Sequence, residues 1–183
     1  MKIGVVSDLH GSLLAFEKTI NHFRARNVEL ILNAGDLFSY GPRNPLPEGY
    51  APGDLVKAIN GLSIPMVIAK GNCDSEVDQA ALNVPLLSPY AFIYVGGQRI
   101  MVNHGHKLTD DEKIQIAKRL NIDIFIVGHT HLPKLERLEK MILLNPGSPA
   151  LPKGSPTAGT IEIVDHETNI EIFNIDTGNV VMR

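Results

Sequence analysis

Five short apolar runs, residues 3–6, 30–32, 66–69, 100–102 and 124–127, constrain this chain more than any other feature. Each is hydrophobic almost without interruption, the pattern of a strand buried on both faces. Helical periodicities lie between some of them. Leu13, Phe16, Ile20 and Phe23 share one face of a helix that Ser12 can cap. Residues 54–62 and 109–120 predict shorter helices, with Ile114, Ala117 and Leu120 along one side of the second. Further on the pattern changes. Residues 141–144, 160–164 and 170–175 predict strands, with no room for a helix between the last two, and residues 165–169 predict a hairpin turn. The expectation is a layered α/β chain with a mixed sheet, forming one domain over residues 1–183 without repeats or linkers.

What ends each run carries the chemistry. Residues 3–6 are followed by Ser7-Asp8-Leu9-His10, and residues 30–32 lead to Gly35-Asp36. The next three runs lead to Gly71-Asn72-Cys73-Asp74, to His104-Gly105-His106 and to Gly128-His129-Thr130-His131. Ligands of open α/β sheets bind at the carboxyl ends of strands, and glycine there lets the backbone turn sharply. The i, i+2 spacing of Asp8/His10 and His129/His131 predicts that each pair points one way from extended backbone. Asp, Asn and His donors suit Mn, Fe, Zn or Ni better than a Cys-rich structural zinc site. Asp8, His10, Asp36, Asn72, His104, His129 and His131 are too many ligands for one ion. Two ions sharing a carboxylate accommodate them, and Asp36, alone on its run, is the natural bridge. Paired ions clamp the entering and leaving oxygens of a displacement at phosphorus. One Asp-x-His is weak and Gly-Asp is often only a turn; the joint pattern is far more specific. His22, opposite the apolar stripe of its helix, is expected in solvent, and His166 in the hairpin turn.

Composition narrows the partners. Lys+Arg 17 against Asp+Glu 20 gives −3 with no block of like charge, and 5% aromatic residues with no Trp speak against nucleic-acid binding. No apolar run approaches the ~20 residues of a spanning helix, and the N-terminus does not resemble a signal peptide. A single cysteine forms no internal disulfide. These features predict a cytoplasmic protein with no membrane partner, and leave room for a homo-oligomer.

The five motifs together resemble the signature of the calcineurin-like metallophosphoesterases, over essentially the whole chain. Gly41-Pro42-Arg43-Asn44, the run from Leu46 to Pro52, the run from Asn72 to Gln79, and Asn145-Pro146-Gly147-Ser148 are similar to a subgroup of small bacterial phosphodiesterases in that family. The resemblance implies a sandwich of two mixed β-sheets flanked by α-helices. It implies one ion on Asp8, His10, Asp36 and His131 and a second on Asp36, Asn72, His104 and His129. Manganese is common in the family, and a hydroxide between the ions would attack a small-molecule phosphodiester.

One position departs from the family. Where most members have His in Gly-Asn-His, this chain has Cys73, a thiol with no positive charge to offer at neutral pH. Asn72, Cys73 and Asp74 remain the candidates for catalytic contacts in that turn. Two loops, residues 39–53 and 145–159, each hold four Pro and three Gly, a composition that marks rigid surface loops or functional ones. Arg43 in the first is a candidate substrate contact, as is His106 at the fourth strand-end cluster. The competing functions are a retromer-subunit-like protein-binding scaffold on the same fold, a phosphomonoesterase and a nuclease.

Overall fold

The computed structural model describes residues 1–165 and 167–183, so the expectation for His166 lies outside the described residues. Two sheets form, not one. The first runs β12-β11-β10-β1-β2-β3-β4, from β1 (Lys2–Val6), β2 (Leu30–Asn33), β3 (Met66–Ala69), β4 (Leu86–Leu87), β10 (Thr157–Val164), β11 (Glu167–Asn174) and β12 (Val180–Met182). The second runs β5-β6-β7-β9-β8, from β5 (Ala91–Val95), β6 (Gln98–Val102), β7 (Ile124–Ile126), β8 (Pro133–Leu138) and β9 (Met141–Pro146). Strands β1 to β4 are parallel, as are β6, β7 and β9. Antiparallel strands complete each sheet at its flanks.

Alternation within the apolar runs explains the layers. Ile3, Val5 and Leu32 turn inward and meet Ile100, Val102, Ile124, Ile126 and Leu144 of the second sheet. Val6, Ile31 and Ile68 turn outward, under α1 (Leu13–Ala25) and α2 (Pro52–Asn60). Met101, Phe125 and Leu143 face out of the second sheet toward α4 (Asp110–Leu120). The order is therefore helix, sheet, sheet, helix. Gly4 lets α1 seat closely: a Cβ there would lie 2.7 Å from the Phe23 ring. Phe23, Phe125 and Phe173 are fully buried, each contributing roughly 1.5–3 kcal/mol.

The helices begin where their caps dictate. Ser12 Oγ accepts from Ala15 N at 3.1 Å, and Pro52 occupies the first turn of α2. Capping boxes start α3 (Glu76–Ala81) at Ser75 with Asp78, and α4 at Thr109 with Glu112. Several expectations need correction. The 39–53 loop ends before Pro52, which already lies in α2, and the 145–159 loop shrinks to residues 147–156 because strands claim both ends. Leu120 is exposed, so α4 packs through Ala117 and Ile122 beyond its end. His22 is not in free solvent: its Nε2 donates to the Ile175 carbonyl at 2.8 Å, and its ring lies 5.3 Å from that of Phe173. Among the described residues no helix is long and apolar enough to cross a membrane.

Candidate metal centre at the strand ends

The parallel strands of both sheets bring their carboxyl ends to one region, and the backbone there is unusual. Asp8 (φ 58°), His10 (φ 46°), Asp36 (φ 58°), His129 (φ 67°) and His131 (φ 60°) all adopt the left-handed conformation. Such residues cost on the order of 1–3 kcal/mol each and persist only where their surroundings over-determine them. The extended backbone expected for Asp8/His10 and His129/His131 is thus wrong. Tight turns, not strand alternation, converge the side chains. The β1 and β2 turns hold each other: Asp8 N donates to Gly35 O at 2.9 Å, His10 N to Asp36 O at 3.0 Å and Gly11 N to Leu37 O at 2.7 Å. Gly71 makes room for the bridge candidate, since a Cβ there would lie 2.1 Å from Asp36 Oδ1.

A repeated asparagine device shapes three of these turns. Asn33, Asn103 and Asn145 lie at or beside the ends of their strands, and each side-chain oxygen accepts the N–H two residues on, from Gly35 at 2.7 Å, Gly105 at 2.7 Å and Gly147 at 2.9 Å. Sequence reasoning missed this role, although Asn-x-Gly occurs at all three points and was a readable signal. Asn145 also donates to Gly128 O at 2.8 Å and to Thr130 Oγ1 at 3.0 Å, tying down the turn that carries His129 and His131. Ser148 Oγ donates to Asp8 O at 2.8 Å. Asp74, a candidate for direct catalytic contact, is instead placed on backbone amides. Its carboxylate accepts from Asp36 N at 2.9 Å, Gly71 N at 2.7 Å and Leu37 N at 2.8 Å, and so clamps two turns together. Burial, reinforced by the charge of Asp36, raises its pKa in spite of these bonds. Replacing buried Asn145 by alanine strips partners from the Gly128 carbonyl and the Gly147 amide. A loss of about 1–3 kcal/mol in urea unfolding is expected; unchanged stability would mean the turn holds itself.

All seven ligand candidates come together. His10 Nδ1 donates to Ser39 O, His104 Nδ1 to Ala34 O and His131 Nδ1 to Leu151 O, each at 2.7 Å. A carbonyl can only accept, so these bonds fix the proton on Nδ1 and leave each neutral ring a lone pair at Nε2. Those lone pairs point at one another and at carboxylates. His10 Nε2 and His131 Nε2 are 3.1 Å apart. Asp8 Oδ1 lies 3.4 Å from His131 Nε2, 3.7 Å from His10 Nε2 and 4.0 Å from His104 Nε2, buried and without a hydrogen-bond partner. Asp36 Oδ1 accepts from Cys73 N at 2.8 Å, while Oδ2 stands 3.2 Å from His104 Nε2 and 3.9 Å from His10 Nε2, between the two histidine groups. Asn72 Oδ1 is 3.0 Å from His104 Nε2. His129 N donates to Asp8 Oδ2 at 3.0 Å, and its ring centroid lies 5.2 Å from that of His104.

Donor atoms of Asp8, His10 and His131, of Asp8, Asp36 and His104, and of His10, Asp36 and Cys73 each gather within 4.8 Å. Electron pairs crowded together in this way need positive charge between them, from ring protons or from cations, and the donor set fits divalent metal ions. The charges reflect the same demand. Burial alone would raise Asp8, yet the imidazoles of His10, His131 and His104 hold it well below the usual carboxylate range. Burial would lower His104, but Asp36 and Asp8 push it up to about 9. Burial, then the charge of Asp36, pushes the Cys73 thiol up to about 12. His106 is exposed at the rim, its ring 5.5 Å from that of His104, and burial together with the charge of His104 lowers its pKa. Arg43 is exposed on its loop and touches none of the clustered groups.

Residues 1–169 match the family model of the calcineurin-like phosphoesterase superfamily domain. The chain is 37% identical over 158 residues to "Phosphodiesterase YfcE" of Escherichia coli K12, covering 86% of this chain and 84% of that protein. A solved structure of YfcE, described as a phosphoesterase from E. coli, superposes with a TM-score of 0.86 at 31% identity, covering 99% of this chain and 97% of that one. The zinc-complexed Vps29 of Entamoeba histolytica gives a TM-score of 0.69 over 100% of this chain and 97% of that one, and at 21% identity this shows the fold alone.

Proposed function

Because the chain belongs to the calcineurin-like phosphoesterase superfamily and is a phosphoric diester hydrolase, we propose that it cleaves a small-molecule phosphodiester at a centre of two divalent ions. Residues 1–183 act as one catalytic domain in this reading. Asp8, His10, Asp36 and His131 would hold one ion, and Asp36, Asn72, His104 and His129 the other, with manganese the first choice. When bound, such a pair supplies a water acidic enough to attack at neutral pH and offsets charge on the phosphoryl oxygens. The observation that carries the reading is Asp8 Oδ1, buried, unpartnered and faced by three imidazole nitrogens.

The chain's own groups set up the rest. The carbonyls of Ser39, Ala34 and Leu151 turn the Nε2 atoms of three rings toward the carboxylates of Asp8 and Asp36, where an ion would bind. Asp8 and Asp36 contribute two negative charges, so with two divalent ions bound the pocket would be positive and suited to a phosphodiester monoanion. Residues 39–51 begin at His10, through the Ser39 carbonyl, and pass Cys73 at Gly41, where a Cβ would lie 3.3 Å from Sγ. That path supports reading the loop as one wall of the pocket, in which the planar fork of Arg43 would hold a phosphate oxygen. Arg43→Ala should then lower kcat/KM for a chromogenic diester by about tenfold, a charge-assisted contact, with metal content unchanged. Unaltered kinetics at full metal occupancy would remove Arg43 from the pocket. The reading as a whole is tested by screening manganese-loaded protein against diesters, monoesters and single-stranded DNA. Turnover of small diesters above the other classes supports it; no turnover of any ester, with metal bound, would favour a binding scaffold.

A further inference from the structure

The loops around the metal centre carry more positive charge than cleavage of a simple diester requires. Arg43 follows β2, Lys107 follows β6 and Lys153 follows β9, and all three are exposed. Among the described residues none of them enters an ion pair or a side-chain hydrogen bond. Most other lysines are engaged: Lys18 with Asp176, Lys57 with Asp54, Lys70 with Glu76, Lys113 with Asp110, Lys118 with Glu139 and Lys134 with Glu136.

Each free cation is anchored close to the centre. Arg43 lies two residues beyond Gly41, which borders Cys73 Sγ. Lys107 adjoins His106, whose ring stands 5.9 Å from that of His129. Lys153 N donates to His131 O at 3.2 Å. Among the described residues no carboxylate pairs with them, although exposed Asp111 lies in the first turn of α4. The carboxylates of Asp8, Asp36 and Asp74 are turned into the cluster or its turns. Glu48, on the Arg43 loop, lines a separate groove with Lys18, Ser12 and Pro149. Asp110 and Glu112, at the start of α4, are taken by Lys113 and Thr109.

We propose that this ring of three unpaired cations on separate loops recognises a second anionic group on the substrate, so that the enzyme favours diesters in which one alcohol carries a carboxylate or a phosphate. The proposal rests on the phosphodiesterase reading above and narrows its substrate class. The scissile phosphate would lie at the cluster of Asp8 and Asp36, with the second anion held at the rim by Lys107, Lys153 and Arg43. Exposed contacts of this kind weaken with salt, because the screening length is ~10 Å at 0.1 M.

The test compares three 4-nitrophenyl phosphodiesters on the manganese-loaded protein: the ethyl, the 2-carboxyethyl and the 2-(phosphonooxy)ethyl ester. They share a leaving group, so differences in kcat/KM report the second alcohol. The anionic esters should be preferred over the ethyl ester by about five- to tenfold at low salt, the size expected of a few solvent-facing charge contacts. In K107Q/K153Q the ratio should fall toward one. A ratio of one or less in the parent protein would overturn the proposal, as would a preference that survives the double substitution. Failure to turn over any of the three esters would overturn the phosphodiesterase reading itself, a result distinct from equal turnover of all three.

Discussion

Asp36→Asn is expected to cost more activity than any other single substitution in this protein. The carboxylate is almost fully buried, with Oδ1 held by Cys73 N and Oδ2 between His104 and His10. An amide keeps the shape, but its oxygen can occupy only one of those places. With the oxygen on Cys73 N, the new N–H group would stand 3.2 Å from His104 Nε2 and could donate to it, as a cation would otherwise bind there. The site loses one negative charge and gains a donor, and both changes oppose metal binding. Loss of an outer partner of a ligand costs ~10–100-fold, so loss of the shared ligand should exceed that in turnover. Metal per chain should fall for both positions together, and the metal-free protein should melt no lower than the parent. Turnover within a few-fold of the parent at full metal content would remove Asp36 from the bridging role.

The second large effect concerns Cys73. With no cation at the cluster, burial and the charge of Asp36 push its thiol up to about 12, so it is neutral at pH 7 and poorly matched to proton donation there. Asn72 Nδ2 donates to Sγ at 3.2 Å. Without a matched acid, expulsion of a poor alkoxide is slow, and general-acid help is typically worth ~10²–10⁴-fold. Across diesters of graded leaving-group pKa, the log rate should fall steeply for the native protein. Cys73→His should flatten that fall, with the gain largest for alkyl leaving groups. Cys73→Ala should leave the slope nearly as it was. A markedly steeper slope for Cys73→Ala would show the thiol already acting as the acid. A drop confined to metal content or melting temperature would show that it only packs.

Much of this centre was legible before any fold was known, because chemistry collects at strand ends and the strands were plain. Asp8, His10, Asp36, Asn72, His104, His129 and His131 each followed an apolar run, and the fold brings those run ends together. Their local geometry was not legible. Left-handed turns at Asp8 and His131 depend on partners far along the chain, such as Gly35 O and the Asn145 side chain, and i, i+2 spacing carries no trace of them. The division into two sheets was equally hidden from the pattern of runs. Ile3 and Ile100 look alike because each lies in a strand covered on both faces, and only the family resemblance separated them. Strand β8 escaped because its outward Glu136 and Arg137 break the apolar signal of an edge strand. Helix α3 buries no residue at all, so it shows only in the Ser75/Asp78 capping box. His22 looked solvent-facing on its helix, yet the chain end returns along β11 to cover it.

The most direct test of the central claim is a metal titration. Protein stripped by chelation is given manganese in measured equivalents per chain, and turnover of bis(4-nitrophenyl) phosphate is followed beside bound metal. The paired arrangement around Asp36 predicts negligible turnover without metal, little at one equivalent, and full activity as the second site fills. Stripped protein that turns over as fast as the reloaded protein, or full activity at a single bound ion, would contradict it.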